Sequence, residues 1–359
     1  MNRAIDLARR GLGSVEPNPM VGCVIVRDGV CVGEGFHRRF GDHHAEVEAL
    51  RSLADPRLAS AATAYVTLEP CCHTGKTPPC TDALIAAGLA RVVIAMRDPF
   101  SQVDGGGIER LGQAGVEVDV GIEQAAAHEL NAPYLKRLQI GRPWVIAKWA
   151  MSLDGRIATV TGDSQWISGD VSRAEVHRLR GRVDAIIVGG GTAAADDPLL
   201  TARPAGARTA LRIVLVGKRI PAADSRLFGS LESGPVMLVT AAQGALGDLA
   251  AIERRGVEIL RCRGDSPGAQ VKALLDELGR RQMTNVLVEG GGSLLASFMA
   301  IDEIDEIHAY VAPKLIGGGT APGPLGGAGV TRLIDSPAYR VVQTARFDDD
   351  LRVIVRRVR

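Results

Sequence analysis

One imidazole, two thiols and a carboxylate lie close together in the chain. His44 precedes Glu46 by two positions, and Cys71 and Cys80 follow. One nitrogen and two sulfurs would give zinc three protein ligands. A tetrahedral ion held by three ligands keeps a fourth position for water, which separates a catalytic site from a closed structural one. A carboxylate beside that position can take a proton and pass it to a leaving amine. These are the parts of a hydrolytic deaminase. Each part alone is weak, because cysteine is also a small buried hydrophobe and His-x-Glu occurs by chance. The competing reading is a closed structural zinc site or unligated core cysteines.

His-x-Glu followed by Pro-Cys is the pattern of the zinc nucleobase deaminases. The spacing departs from it: eight residues separate Cys71 from Cys80, where that class usually has two. With Leu68-Glu69-Pro70-Cys71 and Gly75-Lys76-Thr77-Pro78-Pro79-Cys80, the stretch resembles the deaminase half of the bifunctional riboflavin-biosynthesis deaminase/reductase family. The resemblance implies an N-terminal cytidine-deaminase-like α/β/α layered domain with bound Zn2+. It also implies deamination of a pyrimidine carrying ribose 5-phosphate, with His73 and Lys76 on the substrate phosphate and Asn18 and His37 on the ring. A basic pair suits a phosphate. Without the resemblance, Asn18 only shapes its Pro-Asn-Pro turn and His37 is a satisfied strand-end histidine. The family usually has Ser where Cys72 stands. Cys72 adjoins a ligand, so it is expected to point elsewhere. Asp98-Pro99 and Gly105-Gly106-Gly107 match a family loop, although Phe100-Ser101 replaces the more usual Asn-Pro.

The elements that must position these residues are legible in outline. Asn2 to Gly11 reads as an amphipathic helix with a glycine stop. Val21 to Val26 and Val30 to Phe36 read as strands joined at Asp28-Gly29, a hairpin signal. Glu46 to Leu53 reads as a helix with His44 at its start. Tyr65 to Leu68 is a strand leading to Cys71, and Thr81 to Ala87 is a helix starting at Cys80. A helix start favours the thiolate form. Strands at Arg91 to Ala95 and Val116 to Val118 flank a helix at Ile108 to Ala114, and Glu123 to Leu138 is one helix. Alternating strands and helices predict a layered α/β domain over 1–141. The boundary falls at Gly141-Arg142-Pro143, short and not Ser- or Gly-rich, so the halves are expected to be docked rather than tethered.

The second half, 142–359, opens with a strand at Trp144 to Lys148. A helix over Val171 to Arg182 and a strand from Ala185 into a glycine loop ending at Thr192 follow. Arg212 to Val216 and Val236 to Thr240 are buried strands, and Ala269 to Gly279 is a helix. Asn285 to Ser293 then runs through three glycines into a helix at Leu294 to Met299. Such a start can bind phosphate, but Gly290-Gly291-Gly292 is no dinucleotide fingerprint.

The order Lys148…Ser152-Leu153-Asp154-Gly155, Ser164-Gln165-Trp166-Ile167, Val188-Gly189…Thr192…Asp196-Asp197-Pro198 and Val288-Glu289-Gly290-Gly291 resembles the reductase half of the same family. The resemblance implies a dihydrofolate-reductase-like α/β domain that uses NADPH to reduce the ribosyl group of the deaminated product to ribityl. It places Ala150, Trp166, Thr192, Asp196, Gly291, Gly292, Ser293, Leu294, Leu295, Ala296 and Ser297 on the cofactor. It places Ser164, Arg180, Leu200, Arg203 and Glu289 on the substrate. Two arginines suit a phosphorylated substrate. Without the resemblance, Trp166 is core packing and Arg180 a solvated helix face. Lys148 and Asp154 are candidate polar aids, and no proton donor is assigned. The family is usually oligomeric, which implies a homodimer or homotetramer.

Composition bounds the alternatives. A formal charge of +1 and 4% aromatics argue against a nucleic-acid base deaminase, which needs a basic, base-stacking surface. No run of about 18 apolar residues predicts a membrane span. The first residues lack the apolar stretch of a secretion signal. Six cysteines in 359 residues suit a reducing cytoplasm. A zinc-stabilised module that senses a nucleotide remains the non-enzymatic rival. It would have no open position on the metal and would unfold on chelation.

Overall fold

The computed structural model describes residues 1–217, 219–241, 249–264 and 266–359. It forms two compact units, Met1–Gly141 and Arg142–Arg359.

The first unit runs α1 (Asn2–Arg9), β1 (Gly22–Arg27), β2 (Val30–Phe36), α2 (Ala45–Arg51), β3 (Thr63–Val66), α3 (Cys80–Ala86), β4 (Arg91–Ile94), α4 (Gly106–Gln113), β5 (Glu117–Val120), α5 (Gln124–Leu130) and α6 (Ala132–Ile140). Its sheet has the order β2-β1-β3-β4-β5. β1 is antiparallel to both neighbours, and β3, β4 and β5 are parallel. The β1–β2 turn uses positive φ at Asp28 and Gly29, as an Asx-Gly hairpin requires. Gly35 lets α2 lie directly on β2, since a Cβ there would stand 2.4 Å from the Ala49 nitrogen. That close approach sets where α2 begins, and His44 is its N-cap.

The expected single helix over 123–138 is two helices broken at Asn131. Asn131 is 1% exposed. Its side chain accepts from the Met20 nitrogen at 2.8 Å and donates to the Met20 carbonyl at 3.0 Å. Pro133 then sits in the first turn of α6, where its missing N–H costs nothing.

The second unit runs β6 (Trp144–Ser152), α7 (Asp170–Arg180), β7 (Ala185–Gly189), α8 (Gly190–Asp196), β8 (Leu211–Leu215), β9 (Val236–Ala241), α9 (Leu249–Arg254), β10 (Glu258–Cys262), α10 (Pro267–Arg280), β11 (Asn285–Glu289), α11 (Gly292–Ala300), β12 (Glu306–Ala312), β13 (Tyr339–Phe347) and β14 (Asp350–Arg357). Nine strands lie in the order β10-β9-β8-β7-β11-β6-β12-β14-β13. β10 through β12 are parallel, and the last hairpin adds antiparallel strands. Buried aliphatic side chains of β6, β7, β8, β9 and β11 join Leu274, Leu278, Leu294, Leu295 and Phe298 in one core.

Three expectations are corrected here. The glycine loop after β7 is helical from Gly190 onward. The opening strand reaches Ser152 rather than Lys148, because β12 pairs with it as far as Ala312. The structure also has strands β10, β12, β13 and β14, which the sequence pattern does not predict.

Candidate active site

Cys71 leaves the turn after β3, and Cys80 is the first residue of α3, entered from Pro79. His44 precedes α2 in extended conformation. Its Nδ1 lies 3.5 Å from Cys71 Sγ and 3.3 Å from Cys80 Sγ. The three ligand atoms lie within 4.8 Å of one another, and among the described residues no other His, Cys, Asp or Glu group of three or more is so placed. Tetrahedral zinc holds a sulfur and a nitrogen about 3.5 Å apart, so the donor set fits the ion. The hydrogen bond with Cys80 draws Cys71 down to about 4, toward the thiolate form that a metal takes. That bond, together with burial, raises Cys80 well above an ordinary thiol.

Glu46 is 3% exposed. Burial pushes its carboxyl up to about 6, and its Oε2 has no hydrogen-bond partner in the structure. A buried carboxylate oxygen with no partner is costly unless a reactant or solvent meets it.

Asn18 and His37 are brought beside this group. Asn18 Nδ2 is 3.3 Å from His37 Nε2, and His37 Nδ1 is 3.1 Å from the His43 carbonyl. The carbonyl requires a proton on Nδ1, so Nε2 accepts from the Asn18 amide and the ring is neutral. Burial, which lowers its pKa, acts the same way. The His37 ring meets His44 edge-on with centroids 5.2 Å apart. His73 and Lys76 lie on the inserted loop. His73 packs near Phe100, and the Lys76 ammonium sits 3.8 Å above the Phe40 ring. Cys72 Sγ is directed to the Gln102 carbonyl at 3.7 Å, away from the three ligands.

Glu69, in the Leu68-Glu69-Pro70-Cys71 segment, has a structural part that its position in the motif does not reveal. It is 4% exposed, and its carboxylate accepts from the nitrogens of Asp98, Gly105, Gly107 and Ile108 at 3.0–3.3 Å. It fastens the Asp98–Gly107 loop to the turn that carries Cys71. A charged residue between a strand and a ligand turn was the available signal.

In the second unit a cavity of about 530 Å³ opens where β6, β11 and β7 end. Strand order reverses there, which is where open parallel sheets bind ligands. Ala150, Ser164, Trp166, Arg180, Thr192, Asp196, Leu200, Glu289, Gly291 and Leu295 line it, together with Lys148. Arg180 donates twice to Glu289, Nε to Oε1 at 2.8 Å and Nη2 to Oε2 at 2.6 Å. Burial lowers the Lys148 ammonium, more than the Glu289 charge raises it. Arg203 is not on this wall. It lines a neighbouring cavity of about 520 Å³ that shares Arg180 and Leu200. Gly292, Ser293, Leu294, Ala296 and Ser297 are also off the wall. They form the first turns of α11, whose Leu294 faces the core and whose Gly292 packs against the 323–326 loop. Asp154 is absent from the cavity and is bonded elsewhere.

A deaminase-type metal triad in one unit and a ligand cavity at a parallel-sheet switch point in the other define a two-domain enzyme with two chemistries. The zinc-binding region of cytidine and deoxycytidylate deaminases matches residues 1–96, and the RibD C-terminal domain matches residues 143–353. The riboflavin biosynthesis protein RibD of Actinobacillus pleuropneumoniae is 40% identical over 98% of this chain and 93% of its own. RibD of Acinetobacter baumannii superposes with a TM-score of 0.85 at 36% identity, covering 100% of this chain and 98% of that one. The Thermotoga maritima diaminohydroxyphosphoribosylaminopyrimidine deaminase/5-amino-6-(5-phosphoribosylamino)uracil reductase gives 0.84 at 35%, covering 100% and 97%. The chain belongs to the RibD family of riboflavin-biosynthesis enzymes. Its units are the cytidine-deaminase-like and dihydrofolate-reductase-like domains of that family.

Proposed function

We propose that the first unit deaminates a phosphoribosylamino-pyrimidine and that the second reduces the ribosyl group of the product to ribityl with NADPH. The observation that carries the first half is the His44, Cys71 and Cys80 triad with the unpartnered Glu46 oxygen beside it. Zinc held by His44, Cys71 and Cys80 would supply an activated water at neutral pH. Glu46 takes the proton and delivers it to the departing amine. Neutral His37 and Asn18 orient the ring, and His73 and Lys76 meet the phosphate.

In the second unit the switch-point cavity holds nicotinamide and sugar together, and the chain's part is orientation. Thr192, Asp196 and Gly291 are the cofactor side. Ser164, Leu200 and the Arg180–Glu289 pair are the substrate side, and Arg203 reaches the phosphate from the adjoining cavity. The testing experiment is zinc content together with nicotinamide absorbance. One equivalent of zinc, ammonia release and NADPH oxidation with the phosphoribosyl pyrimidine are expected. Zinc without turnover would favour the nucleotide-sensing module.

The active form is a homo-oligomer. Supporting this, β13 is an edge of the nine-stranded sheet, and just before it Leu333 and Ile334 are 89% and 85% exposed. An open sheet edge is a template for pairing with another chain, and a partner copy there would cover both side chains. Replacing both with Asp is expected to yield monomers in sedimentation velocity, and an unchanged sedimentation coefficient would reject this face. Six free cysteines support a reducing, cytoplasmic compartment. No helix among the described residues is long and apolar enough to cross a membrane.

A further inference from the structure

Asp154 follows β6 and spends its carboxylate on backbone. Oδ1 accepts from Ser152 Oγ at 2.5 Å and from the Ile316 nitrogen at 3.1 Å, and Oδ2 accepts from the Gly317 nitrogen at 2.7 Å. Gly317 has φ +66 and Gly318 φ +80. Successive N–H groups in such a turn form a concavity that binds an anion, and here the chain supplies the anion itself. Ser152, fully buried, accepts in turn from the Arg156 nitrogen at 3.0 Å.

The same two segments are joined at further points. The Leu153 nitrogen donates to the Lys314 carbonyl at 2.8 Å, and the Ile157 nitrogen to the Pro322 carbonyl at 2.9 Å. Arg156 Nη1 donates to the Ala321 carbonyl, and Lys314 Nζ to the Trp166 carbonyl, both at 2.7 Å. At the far end the Gly326 nitrogen donates to the Gly292 carbonyl at 3.0 Å, at the start of α11. Residues 153–168 and 313–326 therefore form one stitched strap. The strap supplies Ile157, Ser164, Trp166, Pro322 and Pro324 to the cavity wall. Ala158, Ile167 and Ala321 are buried and anchor parts of it, but around Asp154 the strap is open, with Leu153 and Leu315 66% and 77% exposed. There hydrogen bonds set its position.

We propose that Asp154 is a positioning residue, a latch that holds this strap against the cavity and so fixes nicotinamide-nucleotide affinity without touching the nucleotide. The inference rests on the NADPH reading of the cavity. Asp154→Ala frees two backbone N–H groups and Ser152 at once. Asp154→Asn keeps one acceptor oxygen, and Lys314→Met removes a separate stitch from an exposed position.

NADPH titration of the full-length protein, followed by nucleotide fluorescence, tests the latch. Asp154→Ala should raise Kd about tenfold, and Asp154→Asn and Lys314→Met about threefold each, the scale of losing charge-assisted or single hydrogen bonds. The rate at saturating NADPH, ammonia release by the first unit and the urea midpoint should stay near wild type. Wild-type protein that binds no NADPH would reject the functional reading itself. Wild-type binding with all three variants within twofold of it would overturn the latch. So would a loss of affinity accompanied by a lower urea midpoint and a lower saturated rate, because Asp154 would then be a general structural residue.

Discussion

Glu46→Gln is expected to lower the deamination rate by about 10³-fold, roughly 4 kcal/mol of barrier, the middle of the range for a general acid–base group. Zinc content should be unchanged, because the carboxylate is not one of the three converging donors. Reduction of supplied deaminated substrate should continue, because that cavity lies in the other unit. Stability should not fall. Burial raises the Glu46 pKa to about 6, and a neutral amide of the same shape fills the same buried space without a cavity. Ammonia release, metal analysis and urea unfolding on one preparation check all of this. Deamination within a few-fold of wild type would remove Glu46 from the mechanism.

Arg180→Met is expected to abolish reduction and to cost about 3–5 kcal/mol of stability in the second unit, the range for breaking a buried ion pair from one side. The side chains of Arg180 and Glu289 are only 15% and 10% exposed. Burial pushes the Glu289 carboxyl up, but Arg180 and then Lys148 pull it further down, so its folded pKa lies below the ordinary carboxylate value. The sign follows: the pair's contribution is present above about pH 4.3, the unfolded value, and fades as pH falls through the lower folded one. Wild type should lose stability on that acid side, and Arg180→Met should lack this component. Substituting both partners, Arg180→Met with Glu289→Leu, should recover much of the stability but none of the reduction. Urea unfolding at pH 7 and between pH 5 and 3 measures each quantity. A single variant as stable as wild type would show that Glu289 finds another partner.

Where the reading failed, a distant partner had changed what a local pattern meant. The face of β12 that looks inward carries Glu306, His308 and Tyr310, so its alternation reads as a solvated strand turned the wrong way. Those polar groups are tolerable because His308 bonds Glu306 at 2.6 Å and Arg356 from β14 bonds Glu306 at 2.8 Å. β14 likewise buries Arg352, which is paired with Glu175 of α7 at 2.8 Å. The break at Asn131 is set by Met20, more than a hundred positions earlier. Asp154, a candidate polar aid by sequence, is claimed instead by the Ile316 and Gly317 nitrogens.

The sequence by itself determined the candidate metal group: donor types, their order, the carboxylate beside them, and the helix starts that present His44 and Cys80. Those features are local, since coordination demands particular atoms and a helix start is written within a few residues. Only the tertiary structure decided which residues share the reductase cavity, where Arg203 stands relative to it, and that Glu69 and Asp154 serve loops instead of substrates. Each of those outcomes depends on burial and pairing between segments far apart in the chain, which composition and period do not encode.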